Sequence, residues 1–183
     1  MKSRFYLLLA LIFVVQFSYA QNAEEPKSTK EILDSSLTIA KEEGKNVFIM
    51  WHASWCGWCK LMDKKMADES VKDYFNDNYV IAHLVVKESK DNKHLENPGS
   101  DKLLAKYKGD KAGIPFWIVL DENGDLLADS YMRSEGVGMD KPGQNTGCPA
   151  QPEEVAHWIS VLKQTSDISE QGLIKIAGLF EKK

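Results

Sequence analysis

The sequence is poor in cysteine, histidine and proline, with three, four and six among 183 residues. An odd and small number of cysteines excludes a multi-bridge disulfide scaffold. One C-x-x-C and four scattered histidines fall short of the roughly four ligands a structural zinc needs, so no metal is expected. Basic charge is not in excess: 23 Lys and Arg stand against 27 Asp and Glu. With no basic patch interleaved with aromatics, nucleic acid and anionic membranes are not expected as partners. There is no low-complexity segment and no internal repeat. Nor is there a long apolar run. The longest, Phe5 to Phe17, has 13 residues, short of the roughly 18 that span a bilayer.

That run has its own meaning. Lys2 and Arg4 precede it and Ser18-Tyr19-Ala20 follows it, the pattern of a secretory signal peptide (1–20) cut after Ala20. A membrane anchor is the weaker reading, and no membrane insertion is expected after cleavage. Without the leader, 21 basic and 27 acidic residues leave a net charge near −6. Residues 21–28 are polar and read as a flexible arm. Residues 29–183 are long enough for one domain with a sizeable core, and 43% apolar with 27% charged residues is ordinary for one. Export places the chain where disulfides persist, a bacterial periplasm or the secreted space. No dimerisation segment is visible, so a monomer is expected.

Periodicity gives the elements. Ser28 or Thr29 caps a helix over about 29–43 that Gly44 stops. Asn46–His52 and Tyr79–Val86 read as buried strands. Residues 56–67 read as a helix with Leu61, Met62 and Met66 on its apolar side, followed by a short helix through Phe75. Residues 87–99 read as a loop and 101–108 as a short helix. Phe116–Leu120 is a third strand. Asn123-Gly124 turns it into an antiparallel fourth over 126–131. Residues 132–151 read as a long loop, 152–164 as an amphipathic helix and 169–180 as an added C-terminal helix. Helix-linked parallel strands followed by a hairpin predict an α/β protein: a three-layer α/β/α sandwich around a mixed sheet of about four strands.

The informative stretch is Trp55-Cys56-Gly57-Trp58-Cys59-Lys60. C-x-x-C at a helix start puts two sulfurs on one face within bridging reach. A thiolate there meets unsatisfied N–H groups and the positive end of the helix dipole. Cys56 is therefore the candidate nucleophile, expected to be exposed, and Cys59, one turn in, the buried resolving thiol. Cys56 would attack a substrate disulfide, and Cys59 would then displace the product from the mixed disulfide.

With a strand before it, a helix after it, Gly113-Ile114-Pro115 downstream and the Asn123-Gly124 hairpin beyond, this passage resembles the thioredoxin family over about residues 29–165. The resemblance implies a thioredoxin-like fold and a redox-active disulfide. It also implies a cis Pro115 facing that disulfide, with Ile114 offering its backbone to an extended substrate. Trp55, Gly57 and Trp58 would lie beside the substrate. Protein disulfides are the implied substrates, no bound cofactor is implied, and a membrane-bound electron donor is the candidate recharging partner. Met50 stands where the family often has a buried acid, and His83 stands where it has a lysine. The 87–99 and 132–151 loops are longer than the minimum.

Three further residues carry two readings each. His52 either tunes Cys56 or merely ends its strand. His83 either rebuilds a proton relay or is a core histidine bonded to backbone, the favoured reading. Cys148 either is a third redox thiol or is a buried free cysteine, again the favoured reading. His94 and His157 read as solvent-facing, and Lys60, Lys64 and Lys65 as a solvated helix face. Uncharged Trp58 cannot stabilise a thiolate as a histidinium would, which leans the reading towards a reductase or isomerase. The alternatives are an oxidant of the same fold, and a non-catalytic binding module with a permanent 56–59 bridge.

Overall fold

The computed structural model describes residues 25–181. The leader at 1–20 and the first half of the arm, 21–24, lie outside them. In chain order the elements are α1 (Thr29–Glu43), β1 (Asn46–His52), α2 (Gly57–Met66), α3 (Lys72–Asn78) and β2 (Tyr79–Val85). Then come α4 (Ser100–Lys106), β3 (Phe116–Leu120), β4 (Leu126–Asp129), β5 (Tyr131–Met132), β6 (Gln144–Asn145), α5 (Pro152–Thr165) and α6 (Glu170–Phe180). Helix α1 starts where a capping box forms. The Ser28 hydroxyl accepts from the Glu31 N–H, and the Glu31 carboxylate accepts from the Ser28 N–H. It stops at Gly44, whose φ of 65° suits a residue without a Cβ.

The main sheet has the order β2-β1-β3-β4. β1 runs parallel to β2 and antiparallel to β3, and β4 pairs antiparallel with β3. The central strands β1 and β3 are buried along nearly their whole length. β2 is instead an edge strand, and its residues alternate between buried and half-buried rather than forming a fully buried run.

Each face of the sheet carries a core. On one, Phe48, Met50 and Trp117 pack against α2, α3, α5 and α6 through Met62, Phe75, Trp158 and Phe180. Three of these rings meet closely, with Trp117 5.0 Å and Phe48 5.7 Å from Trp158. Aromatic contacts of this kind add about 0.5–1.5 kcal/mol each beyond area burial. On the other face, Ile49, Trp51 and Ile118 pack against α1 and α4 through Ala40 and Leu104. Helix–sheet–helix layering follows directly.

Two loops hold more order than their composition predicts. Residues 90–95 form a 3-10 turn. The 132–151 stretch closes on itself, because Tyr131 pairs with Asn145 and Met132 with Gln144. Its base is pinned by Arg133, whose two terminal nitrogens bind both carboxylate oxygens of buried Asp129 at 2.7 and 2.6 Å. Lys65 is not on a solvated face. Helix α6 brings the carbonyl of Phe180 within 2.8 Å of its ammonium, and the Lys65 charge caps that helix end.

Candidate active site

β1 ends at His52, and five residues later the chain starts α2. Cys56 is the N-cap of that helix, and its sulfur accepts the N–H of Cys59 at 3.1 Å. The two cysteines form a disulfide. A sulfur at this place sits where the unpaired amides of the first turn point, which favours negative charge on it once the bridge opens. Cys56 is not exposed as the sequence predicts. It is 3% accessible and Cys59 1%, because both cysteines pack in a small cluster with Ala53 and Ile114. What is exposed is the frame around them, Trp55 at 58% and Trp58 at 55%. A Cβ on Gly57 would meet nothing within 4 Å, so packing does not require glycine there.

The Ile114–Pro115 peptide bond is cis. The Ile114 carbonyl oxygen lies 3.6 Å from Cys56 Sγ. In the disulfide that sulfur carries no proton, so this is an apolar approach. In the dithiol it becomes a weak S–H···O bond. A cavity of about 280 Å³ opens beside this edge, lined by Trp58, Ile114, Pro115, Cys148 and Glu154 among others.

The groups that hold this frame belong to no motif in the sequence. The Ser54 N–H and hydroxyl donate to the two carboxylate oxygens of Glu88, at 2.5 and 2.8 Å. Burial opposes ionisation of Glu88, but these bonds and one from the Ser89 N–H outweigh it and hold its carboxyl below the usual carboxylate range. The Trp55 indole N–H donates to the Lys87 carbonyl at 2.9 Å. The Lys87 ammonium reaches the Ala112 and Asp110 carbonyls at 2.6 and 3.0 Å, on the loop that leads to Ile114. Across the site the Asn145 amide donates to the Gly113 and Pro115 carbonyls at 3.0 and 3.1 Å. One cue was available for Lys87-Glu88: two charges in succession directly after an apolar strand. Asn145 left no signal, because the two carbonyls it clamps lie some 30 residues away.

The three tuning candidates separate. Cys148 is free, 5% exposed and part of the aromatic core. Burial pushes its thiol up to about 11, so it is unreactive at neutral pH. His83 is neither in the core nor bonded to backbone. As part of the edge strand it is half-exposed, and its Nε2 pairs with Asp63 Oδ1 on α2 at 2.8 Å. The His52 ring stands 5.3 Å from that of His83, and the two line a cavity of about 510 Å³ with Asp63 and Met66. Burial first, and then the neighbouring His83, hold His52 below the usual imidazole range. Met50 is fully buried among apolar groups, so β1 has no titratable side chain at that position. His157 is not solvent-facing. It stacks on Trp117 and binds the Asp129 carbonyl, and burial lowers its pKa. Among the described residues no three metal-ligating side chains cluster, and no helix is long and apolar enough to cross a membrane.

A mixed sheet covered on both faces, with a C-x-x-C disulfide capping the helix after a central strand, is a thioredoxin-like architecture. The thioredoxin-like family model matches residues 29–122, and this chain belongs to that family. It is 32% identical to Thioredoxin-T of Drosophila melanogaster over 116 residues, 63% of this chain and 69% of that protein. Among solved structures it is similar to a disulphide isomerase from Xylella fastidiosa Temecula1, at 18% identity and a TM-score of 0.46 over 61% of this chain and 76% of that one. It is also similar to a DsbH oxidoreductase, at 19% identity and a TM-score of 0.43 over 81% and 97%.

Proposed function

We propose that the protein is an exported enzyme that reduces or isomerises protein disulfides through the Cys56–Cys59 couple. The observation that carries this reading is the placement of Cys56 Sγ. It caps α2, accepts the Cys59 N–H, and faces the Ile114–Pro115 edge between two exposed tryptophans. In the dithiol form the Cys56 thiolate attacks a substrate disulfide. One substrate sulfur leaves as a thiolate, and the other stays bonded to Cys56. The Cys59 thiolate then attacks Cys56 Sγ and expels the second substrate thiol. The substrate gains two electrons and the enzyme is left as the disulfide, to be recharged by an external dithiol or a membrane-bound donor. Reduction is favoured over oxidation because Trp58 brings no positive charge to Cys56. The exported location rests on the leader at 1–20, and a periplasm suits a couple that needs recharging.

Cys56→Ser is expected to abolish dithiothreitol-driven insulin reduction, and Cys59→Ser to accumulate mixed disulfides on non-reducing gels. Insulin turnover that survives Cys56→Ser contradicts this mechanism. The burial of both sulfurs favours one rival, a permanent bridge in a binding module. Such a bridge would resist millimolar dithiothreitol in the native protein, whereas an active couple opens.

A further inference from the structure

The cis-proline edge is held by a side chain from outside the segment that carries the disulfide. Asn145 sits on β6, in the excursion between β5 and α5. All the main hydrogen-bonding capacity of its amide is used. Nδ2 donates to the Gly113 and Pro115 carbonyls at 3.0 and 3.1 Å. Oδ1 accepts from the Ser130 hydroxyl at 2.7 Å and from the Gly147 N–H at 3.3 Å. The two acceptor bonds fix which way the amide faces, because a flipped amide would set NH₂ against two donors and its carbonyl against two acceptors. The carbonyls bound by Nδ2 flank Ile114 on either side. The Ile114 carbonyl, between them, is left facing Cys56.

We propose that Asn145 is a positioning residue for protein substrates, clamping the carbonyls of Gly113 and Pro115 so that the Ile114 backbone edge is presented beside Cys56. The clamp has a consequence for selectivity. A polypeptide substrate must lie along the Ile114 edge to place its disulfide on Cys56. A small aromatic disulfide reaches the sulfur without using that edge. Loosening the clamp therefore raises KM for a protein substrate and leaves reaction with a small disulfide nearly unchanged. This inference rests on the redox reading above.

Asn145→Asp tests it with little change of shape. The carboxylate keeps the acceptor for Ser130 and Gly147 but sets an oxygen against two carbonyls. Asn145→Ala, which leaves those carbonyls to water, carries the test if the aspartate variant fails to fold. Gln144→Ala, exposed on the same short ladder, is the control. For insulin, KM is expected to rise about tenfold in either variant, with kcat within about twofold. Reduction of 5,5′-dithiobis(2-nitrobenzoic acid) by the dithiol form is expected to stay within about twofold. In Asn145→Asp alone, the KM defect should shrink as pH falls towards about 5, because a protonated carboxyl regains a donor. An unchanged insulin KM overturns the proposal. So does a loss shared equally by insulin and the small disulfide, or an Asn145→Asp defect that ignores pH. A wild-type protein that reduces neither substrate instead removes the redox reading, and the clamp's role with it.

Discussion

On one side of the Cys56–Cys59 disulfide the holding is done by charge. Glu88 binds Ser54 and Lys87 ties the 110–112 loop, while the Lys87 carbonyl takes the Trp55 indole. On the other side the holding is done by one neutral amide, Asn145, on a ladder pinned by the buried Arg133–Asp129 pair. The two brackets meet at the same loop, since Ala112 answers to Lys87 and Gly113 to Asn145. They differ in what can undo them. The neutral bracket depends on a backbone excursion staying folded, and pH does not reach it directly. The charged bracket depends on a carboxylate staying ionised, so acid reaches it first.

Arg133→Ala is expected to show the largest loss. It strands the buried carboxylate of Asp129 and should cost about 3 kcal/mol. Thermal unfolding would register this as a fall of roughly 10 °C in a chain of this size. A loss below about 1 kcal/mol would mean the neutral bracket stands without its pin. Glu88→Gln comes next, at about 1 kcal/mol near neutral pH. Its sign with pH follows from the depressed folded-state pKa of Glu88. The extra stability it gives is present above the unfolded carboxylate value, near 4.5, and is lost as pH falls through the lower folded value. Wild-type melting temperature should therefore drop in that acid window by more than that of Glu88→Gln. Parallel curves would remove the charged bracket from the account.

Cys148 sharpens the contrast from the interior. With its thiol pushed up to about 11 and its side chain buried, native oxidised protein should take no iodoacetamide at pH 8, whereas denatured protein takes one equivalent by mass. Rapid native labelling would mean the excursion opens and the neutral bracket is loose. The smallest effect is expected at Asp63→Asn. The Asp63–His83 pair is more than a third exposed on both sides, so its loss should change stability by no more than about 0.5 kcal/mol.

Elements whose causes are local were legible in the sequence. The apolar run of β1, the Ser28 cap, the C-x-x-C at a helix start and the Asn123-Gly124 turn each announce themselves within a few residues. The Gly113-Ile114-Pro115 loop was legible only through its resemblance to a family. What escaped was set by distant partners. Lys65 reads as one of three surface lysines until α6 delivers the Phe180 carbonyl to it. His83 reads as a core residue until the strand order puts β2 at the edge, opposite Asp63. His157 reads as solvent-facing until α5 packs on β4 and Trp117. Residues 132–151 read as loop because Tyr131 and Asn145 pair across fourteen residues with few β-formers between them. Even the burial of Cys56 was hidden, since the residue that covers it, Ile114, is 58 positions away.

Everything proposed for this site depends on the Cys56–Cys59 bridge being a working couple. The most direct measurement is its midpoint potential, from a dithiothreitol and glutathione titration read by tryptophan fluorescence and thiol alkylation. A reversible midpoint near about −270 mV, abolished in Cys56→Ser, is the result predicted for a reductant. A bridge that stays closed below about −300 mV in the native protein would contradict the account and make the site a structural staple.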